Sequence, residues 1–148
     1  MKAAEKVKVI IDADDVWQDI LVHYKSGKVD LEKQLRIKIS HAPANDTGGV
    51  RRQIYSTVYS DFQHNKYIRL FTGPSHSLNP VYTAEARSSG LFKVLGTMVG
   101  RSICQDGIGF PFFSLANYYY IVEGEEKALQ VCSVSDIGAD VAEVVSKV

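Results

Sequence analysis

The chain has 148 residues, 45% of them hydrophobic and 23% charged, which is the profile of a folded domain and excludes a disordered segment. Its 17 basic and 17 acidic residues cancel, and no long Lys/Arg run breaks that balance, so the composition carries no footprint for nucleic acid or an anionic membrane. Two cysteines, Cys104 and Cys132, are too few for a disulfide framework, and no apolar run of signal-peptide length opens the chain, so the expectation is a cytoplasmic or nuclear protein with free thiols.

In chain order, Val7, Val9 and Ile11 alternate with polar neighbours and read as a strand. Residues 12–15 supply carboxylates for capping. Val16, Trp17, Ile20, Leu21 and Tyr24 then follow at helical spacing, opposite Gln18, Asp19 and Lys25, and Gly27 suits the helix stop. Leu35, Ile37 and Ile39 alternate with Arg36 and Lys38 in a half-buried strand. Residues 43–49 read as a loop. A helix is predicted from Gly49 or Val50, with Val50, Ile54, Tyr55, Val58, Tyr59 and Phe62 on its buried stripe. Residues 66–72 (KYIRLFT) read as a strand and 78–83 as a weaker one, with Asn79-Pro80 at a turn. Residues 84–90 read as a loop.

Residues 91–104 (LFKVLGTMVGRSIC) are apolar around most of the helix, which predicts a central element covered on several sides. Gly96 and Gly100 within it are expected to admit a neighbouring backbone, since each disfavours the helix by about 1 kcal/mol relative to Ala. Gly107 and Gly109 punctuate, and Pro111 suits the first turn of a further helix. There Phe112, Leu115, Ala116, Tyr119 and Val122 share a face, with Phe113 and Tyr120 on the other; consecutive aromatics cannot all face one way, so an exposed remainder would be an interaction site. A last helix is predicted over 140–148, carrying Val141, Val144, Val145 and Val148 and still adding apolar residues at its end. The pattern is α+β, mostly helical, with a few short strands, no βαβ alternation and no linker, hence one folded unit.

Chemistry-bearing patterns are sparse. His23, His41, His64 and His76 show no metal-ligand spacing, so no metal site is expected and each reads as a surface residue. Cys104 at a helix C-terminus is disfavoured as a thiolate and reads as a buried small hydrophobe; nothing beside Cys132 recommends it. The stretch Asp46-Thr47-Gly48-Gly49 lacks the lysine and the glycine spacing of phosphate loops, so it reads as a turn, with Asp46 capping and the glycines supplying positive φ or close approach. An anion- or nucleotide-binding loop there is the lesser alternative.

Two stretches carry a resemblance. Asp46-x-Gly48-Gly49-Val50-x-Arg52 resembles the D-x-G-G-[VL]-x-R-E signature of HECT ubiquitin ligases. Phe92-Lys93-Val94-Leu95-Gly96-x-x-x-Gly100-Arg101-Ser102-Ile103 resembles that family's F-x-x-[IL]-G-x-x-x-G-[KR]-[AS]-[IL] helix. Between them, Leu70-Phe71 and Asn79-Pro80 follow the order of its LF…NP segment, and the opening strand, the helix around Trp17 and the strand RIKIS are similar to its beginning. Residues 107–120 (GIGFPFFSLANYYY) resemble a divergent, cell-cycle-associated branch.

The resemblance implies that residues 1–148 are a partial HECT domain: the large subdomain of the N-lobe, without the conjugating-enzyme-binding subdomain or the C-lobe and its catalytic cysteine. It implies a scaffold fragment, inactive alone, of a ubiquitin-protein transferase. Neither cysteine here matches the nucleophile, so no catalytic residue, cofactor or metal is expected in the fragment. The implied partners are ubiquitin, a ubiquitin-conjugating enzyme and protein substrates, with no nucleic acid and no membrane. Asp46, Gly48, Gly49, Arg52, Phe92, Gly96 and Gly100 are the motif residues and are read as structural, with Arg52 tied into the scaffold. Gln53 stands where the family has Glu, and residues 39–42 lack its Gly-Glu. A HECT-like interaction module without transfer activity is therefore the second reading.

Overall fold

A computed structural model describes residues 5–27, 29–42, 48–136 and 139–148. The architecture is α+β, mostly helical with short strands. The backbone divides into two compact units, one formed by Met1–His64 with Ser89–Gly109 and the other by Asn65–Ser88 with Phe110–Val148.

The first unit opens with β1 (Lys6–Ile11), α1 (Val16–Lys25) and β2 (Gln34–Ile39). The two strands pair in parallel, from Lys6 opposite Gln34 to Ile11 opposite Ile39. Parallel strands need a crossover, and α1 is that crossover. The expected absence of βαβ alternation is therefore corrected: one βαβ unit is present. Alternation within each strand fits either pairing direction, and only the helix in the connection speaks for parallel. Val9, Ile11, Leu35 and Ile37 are buried, and the charged neighbours face out.

The start of α1 differs from expectation in detail. Asp15 occupies the cap position without a side-chain cap bond. Asp12 folds on itself instead, its Oδ1 accepting the Asp14 N–H at 3.0 Å, while Asp19 Oδ2 accepts the Asp12 N–H at 2.7 Å. A carboxylate one turn inside the helix thus satisfies the entering backbone. At the far end Gly27 takes φ +69°, as a helix stop requires. Ile20 and Leu21 are buried, and Trp17 meets Phe62 edge-on at 4.8 Å.

This unit also holds the helices α2 (Gly49–Gln63) and α4 (Leu91–Asp106). Ile54, Tyr55, Val58, Tyr59 and Phe62 are the buried stripe of α2. Helices α1, α2 and α4 pack against one another in turn. Helix α4 buries Leu91, Val94, Leu95, Met98, Arg101 and Ser102. Its opposite side is open, with Gly96, Gly100, Ile103 and Cys104 exposed. The expectation of a helix covered on several sides is corrected: the open side carries two glycines, an isoleucine and a cysteine, which a sequence window reads as apolar although the fold leaves them uncovered.

In the second unit, Asn65 Oδ1 accepts the N–H groups of Tyr67 and Ile68 at 2.9 Å each. This local turn outcompetes the ladder, so the strand expected over 66–72 shrinks to β3 (Phe71–Thr72). It pairs antiparallel with β4 (Asn79–Pro80), Phe71 opposite Pro80 and Thr72 opposite Asn79. Asn79-Pro80 is thus strand rather than turn; proline is tolerated because the pair is all edge. The turn lies at Gly73, where φ is +107° and a Cβ would come within 2.6 Å of the Ser77 carbonyl oxygen.

The expected loop over 84–90 contains α3 (Ala84–Ser88), capped by Thr83, whose Oγ1 accepts the Ala86 N–H at 3.1 Å. Pro111 does not begin a helix. Ser114 is the better cap, its Oγ accepting the Asn117 N–H at 3.2 Å, so α5 runs Leu115–Glu123. Helix α6 (Glu125–Val131) follows across Gly124, and α7 (Ala139–Ser146) ends the chain with Val144, Val145 and Val148 exposed. Among the described residues no helix is long and apolar enough to cross a membrane.

Candidate functional site

In the first unit the two motif stretches occupy the facing helices α2 and α4. Gly48 precedes α2 at φ +99°, a left-handed conformation that a side chain would strain. Gly49 is the first helical residue, and the Arg52 N–H donates to the Gly48 carbonyl at 3.2 Å. Asp46 lies outside the described residues. Arg52, expected to be tied into the scaffold, has an exposed side chain. The tie belongs to Arg51, whose Nε and Nη2 donate to Asp106 Oδ2 and Oδ1 at 3.1 and 2.9 Å. Helical phase explains the correction: Arg51 precedes Ile54 and Tyr55 by one turn on the buried side, and Arg52 does not.

A second tie joins the same helices. Tyr59 Oη and Ser102 Oγ are 2.6 Å apart, and Ser102 Oγ also lies 2.6 Å from the Ile108 carbonyl oxygen. With Ser102 donating to Ile108 and Tyr59 donating to Ser102, every proton has an acceptor. Burial pushes the Tyr59 hydroxyl up to about 12 from its ordinary 10.0, against the opposing pull of Ser102. Burial also raises Tyr55, with Tyr24 adding to the effect. Both tyrosines therefore stay neutral and act as scaffold hydroxyls.

Phe92 is half-buried on α4, while Gly96 and Gly100 face outward. A Cβ at either glycine meets nothing within 4 Å, so no backbone packs there, contrary to the expectation. The glycines instead line a groove of about 650 Å³ whose other wall is residues 31–34. Cys104 is exposed at this groove, which corrects its reading as a buried hydrophobe. Gln105 braces the groove from α4, donating to the Leu35 carbonyl at 2.7 Å and accepting the Leu35 N–H at 3.1 Å.

The second unit holds a polar knot that the sequence reading missed. Asn79 Oδ1 accepts from Ser114 Oγ at 2.7 Å and from Asn117 Nδ2 at 2.9 Å, and Asn117 Nδ2 also reaches the Leu78 carbonyl at 3.0 Å. The asparagine of the Asn79-Pro80 pair thus anchors the start of α5. Beside it Phe110 meets Phe112 and Phe113 at 5.0 and 4.8 Å, a small aromatic core. The signal available in sequence was the cap pair Ser114 and Asn117 at S-x-x-N spacing.

Beyond that core the helices are bare. Leu115, Tyr118, Tyr120, Ile121 and Val122 are exposed on α5, which buries no residue, and Leu129 and Val131 are exposed on α6. A depression of about 450 Å³ lies here, with Tyr120, Leu129 and Val134 among its walls. Of the residues expected to share a face with Phe112, Leu115 and Val122 are exposed. Among the consecutive aromatics, which cannot all face one way, Tyr118 and Tyr120 are the exposed ones.

No reacting constellation is assembled among the described residues. They hold no group of three or more His, Cys, Asp and Glu that could hold a metal ion. His23 contacts the Ile10 carbonyl at 3.3 Å and His76 stacks on Phe112. Desolvation and the Asp136 carboxylate both raise the Cys132 thiol, which disfavours a thiolate. The geometry can bind and brace. No protein-family model matches the chain, and no curated protein matches it at a significant level.

Proposed function

We propose that the chain is a scaffold piece of a HECT-type ubiquitin-protein ligase, the large subdomain of its N-lobe, with no chemistry of its own. In the longer polypeptide, ubiquitin passes from a conjugating enzyme to a C-lobe cysteine and then to a substrate lysine, two easier acyl transfers in place of one. The reading rests on motif residues in order, since no overall match accompanies it. One observation supports it above the others. The two stretches that carry the resemblance become helices α2 and α4, held together by Arg51–Asp106 and Tyr59–Ser102. Gly48 at positive φ accounts physically for a glycine at that motif position.

The test is to charge the full gene product with ubiquitin, using activating enzyme, a panel of conjugating enzymes and ATP. A ubiquitin adduct that disappears with reductant supports the ligase reading; a folded full-length protein that accepts no ubiquitin overturns it. The bare apolar surface of α5 and α6 favours the second reading, a HECT-like interaction module that binds without transferring. That reading falls if the reducible adduct forms.

A further inference from the structure

The groove of the first unit ends in a thiol. Gly96, Gly100 and Cys104 line it from α4, each one turn after the last. From Gly96 to Cys104 this row spans about 12 Å along the helix axis. A Cβ at either glycine would meet nothing within 4 Å, so the row is an open trough rather than a packed seam. Cys104 is exposed where the trough stops. An exposed thiol alone marks no site, and the C-terminal end of a helix does not activate it. Selectivity at this thiol has to come from holding the reagent beside it.

Arg101 supplies the hold. It lines the same groove three residues before Cys104 and is only 8% exposed. Its Nη2 donates to the Asp30 carbonyl, and its Nη1 is buried without a hydrogen-bond partner. An unused guanidinium donor is costly, and a carboxylate is the acceptor that suits it best. Because Nη1 is buried, the guanidinium has to turn toward the groove to meet a ligand. The opposite wall carries Glu32 and Lys33. Lys33 is engaged by Glu5 at 2.7 Å and by Asp30 at 3.7 Å. Glu32 is exposed, so solvent screens its repulsion of an anion more than it screens the pull of the buried Arg101.

We propose that this groove binds an anionic peptide disulfide of low molecular weight, such as oxidised glutathione, and that Cys104 is thiolated there. One half of that reagent is a tripeptide, which extends over roughly 10 Å and so matches the trough. A carboxylate of the reagent accepts from Arg101 Nη1, and its disulfide lies over Cys104. The Cys104 thiol gives its proton to solvent, and Sγ attacks the nearer sulfur. The new S–S bond forms as the reagent's own S–S bond breaks, and the departing half leaves as a thiolate that takes up a proton. One disulfide is consumed, and one mixed disulfide and one free thiol are produced, so the reagent is the only oxidant needed. An excess of reducing thiol reverses the step. Cys132 is the internal control, because the charge beside it is the Asp136 carboxylate.

The test incubates the whole chain with oxidised glutathione and, separately, with hydroxyethyl disulfide, an uncharged reagent. Modification of each cysteine is timed by peptide mass spectrometry. The expected rate at Cys104 saturates as oxidised glutathione rises and stays linear in the uncharged reagent, while Cys132 is linear in both. Arg101→Met is expected to slow oxidised glutathione at Cys104 by about tenfold, the loss of one charge-assisted contact, and to leave the uncharged reagent unchanged. A rate at Cys104 linear in oxidised glutathione, or equal slowing of both reagents by Arg101→Met, overturns the proposal. If Arg101→Met does not fold, the wild-type saturation curve decides alone.

Discussion

Arg51 on the first turn of α2 and Asp106 on the last turn of α4 form a two-pronged ion pair, with side chains only 11% and 6% exposed. The pair ties the start of one helix to the end of another. Removing one side of such a buried pair takes both of these bonds from Arg51, so Asp106→Ala is expected to destabilise the fold by about 3–5 kcal/mol. Urea denaturation measures this. The double variant Arg51→Met, Asp106→Leu is expected to recover most of the loss, because both buried charges then go together and apolar side chains fill their place. Equal losses in the single and double variants would count against the pairing.

The tyrosine hydroxyls set a ceiling on alkaline stability. Tyr59 titrates at about 12 in the folded state against 10.0 unfolded, and Tyr24 and Tyr55 are raised as well. A raised folded value means the stabilisation is complete below the unfolded value and fades as pH climbs through the folded one. Denaturation midpoints should therefore hold flat up to about pH 10 and fall between about 10 and 12. Tyr59→Phe is expected to blunt that fall while lowering stability at neutral pH by about 1 kcal/mol through the lost bond to Ser102. An unchanged alkaline slope in this variant would contradict the assignment.

Gly96 and Gly100 offer a prediction of the opposite sign. Both sit in a helix interior with open space where a Cβ would stand. Each Gly→Ala change is expected to stabilise by about 0.5–1 kcal/mol, read as a higher Tm. Gly48→Ala should go the other way, by about 1 kcal/mol or more, because φ there is +99°. A destabilised Gly96→Ala would show that something packs on that face after all.

The uncovered side of α5 and α6 is the surface most prone to association. Ile121 is 64% exposed and Leu129 76% exposed. The double variant Ile121→Glu, Leu129→Glu is expected to leave Tm within about 2 °C of the parent while suppressing concentration-dependent self-association in sedimentation velocity. Unfolding of that variant would mean these side chains are interior.

Much of the fold was legible because helices and strands repeat with different periods. The stripe of α2 from Ile54 to Phe62 and the alternation of Leu35 and Ile37 both follow that rule. What escaped was set by single side chains or by long range. Asn65 cut a strand short, Thr83 launched a helix inside an apparent loop, and Ser114 displaced the helix start from Pro111. The parallel pairing of β1 with β2 depends on chain crossing, which local periodicity does not record. In the candidate site the glycines of α4 were visible, but whether they met a neighbour or open space depends on residues 31–34, far away in sequence. Arg51 and Arg52 are adjacent and chemically identical, so only their phase on the helix separates the tied one from the exposed one.

On the proposed reading this chain performs no ubiquitin transfer of its own, and intact mass spectrometry checks this. The 148-residue chain is incubated with activating enzyme, ubiquitin-charged conjugating enzyme and ATP, and analysed without reductant. The expected result is an unmodified mass, with Cys104 and Cys132 both still free thiols. A reductant-sensitive ubiquitin adduct on Cys104, the exposed thiol at the groove, would contradict it.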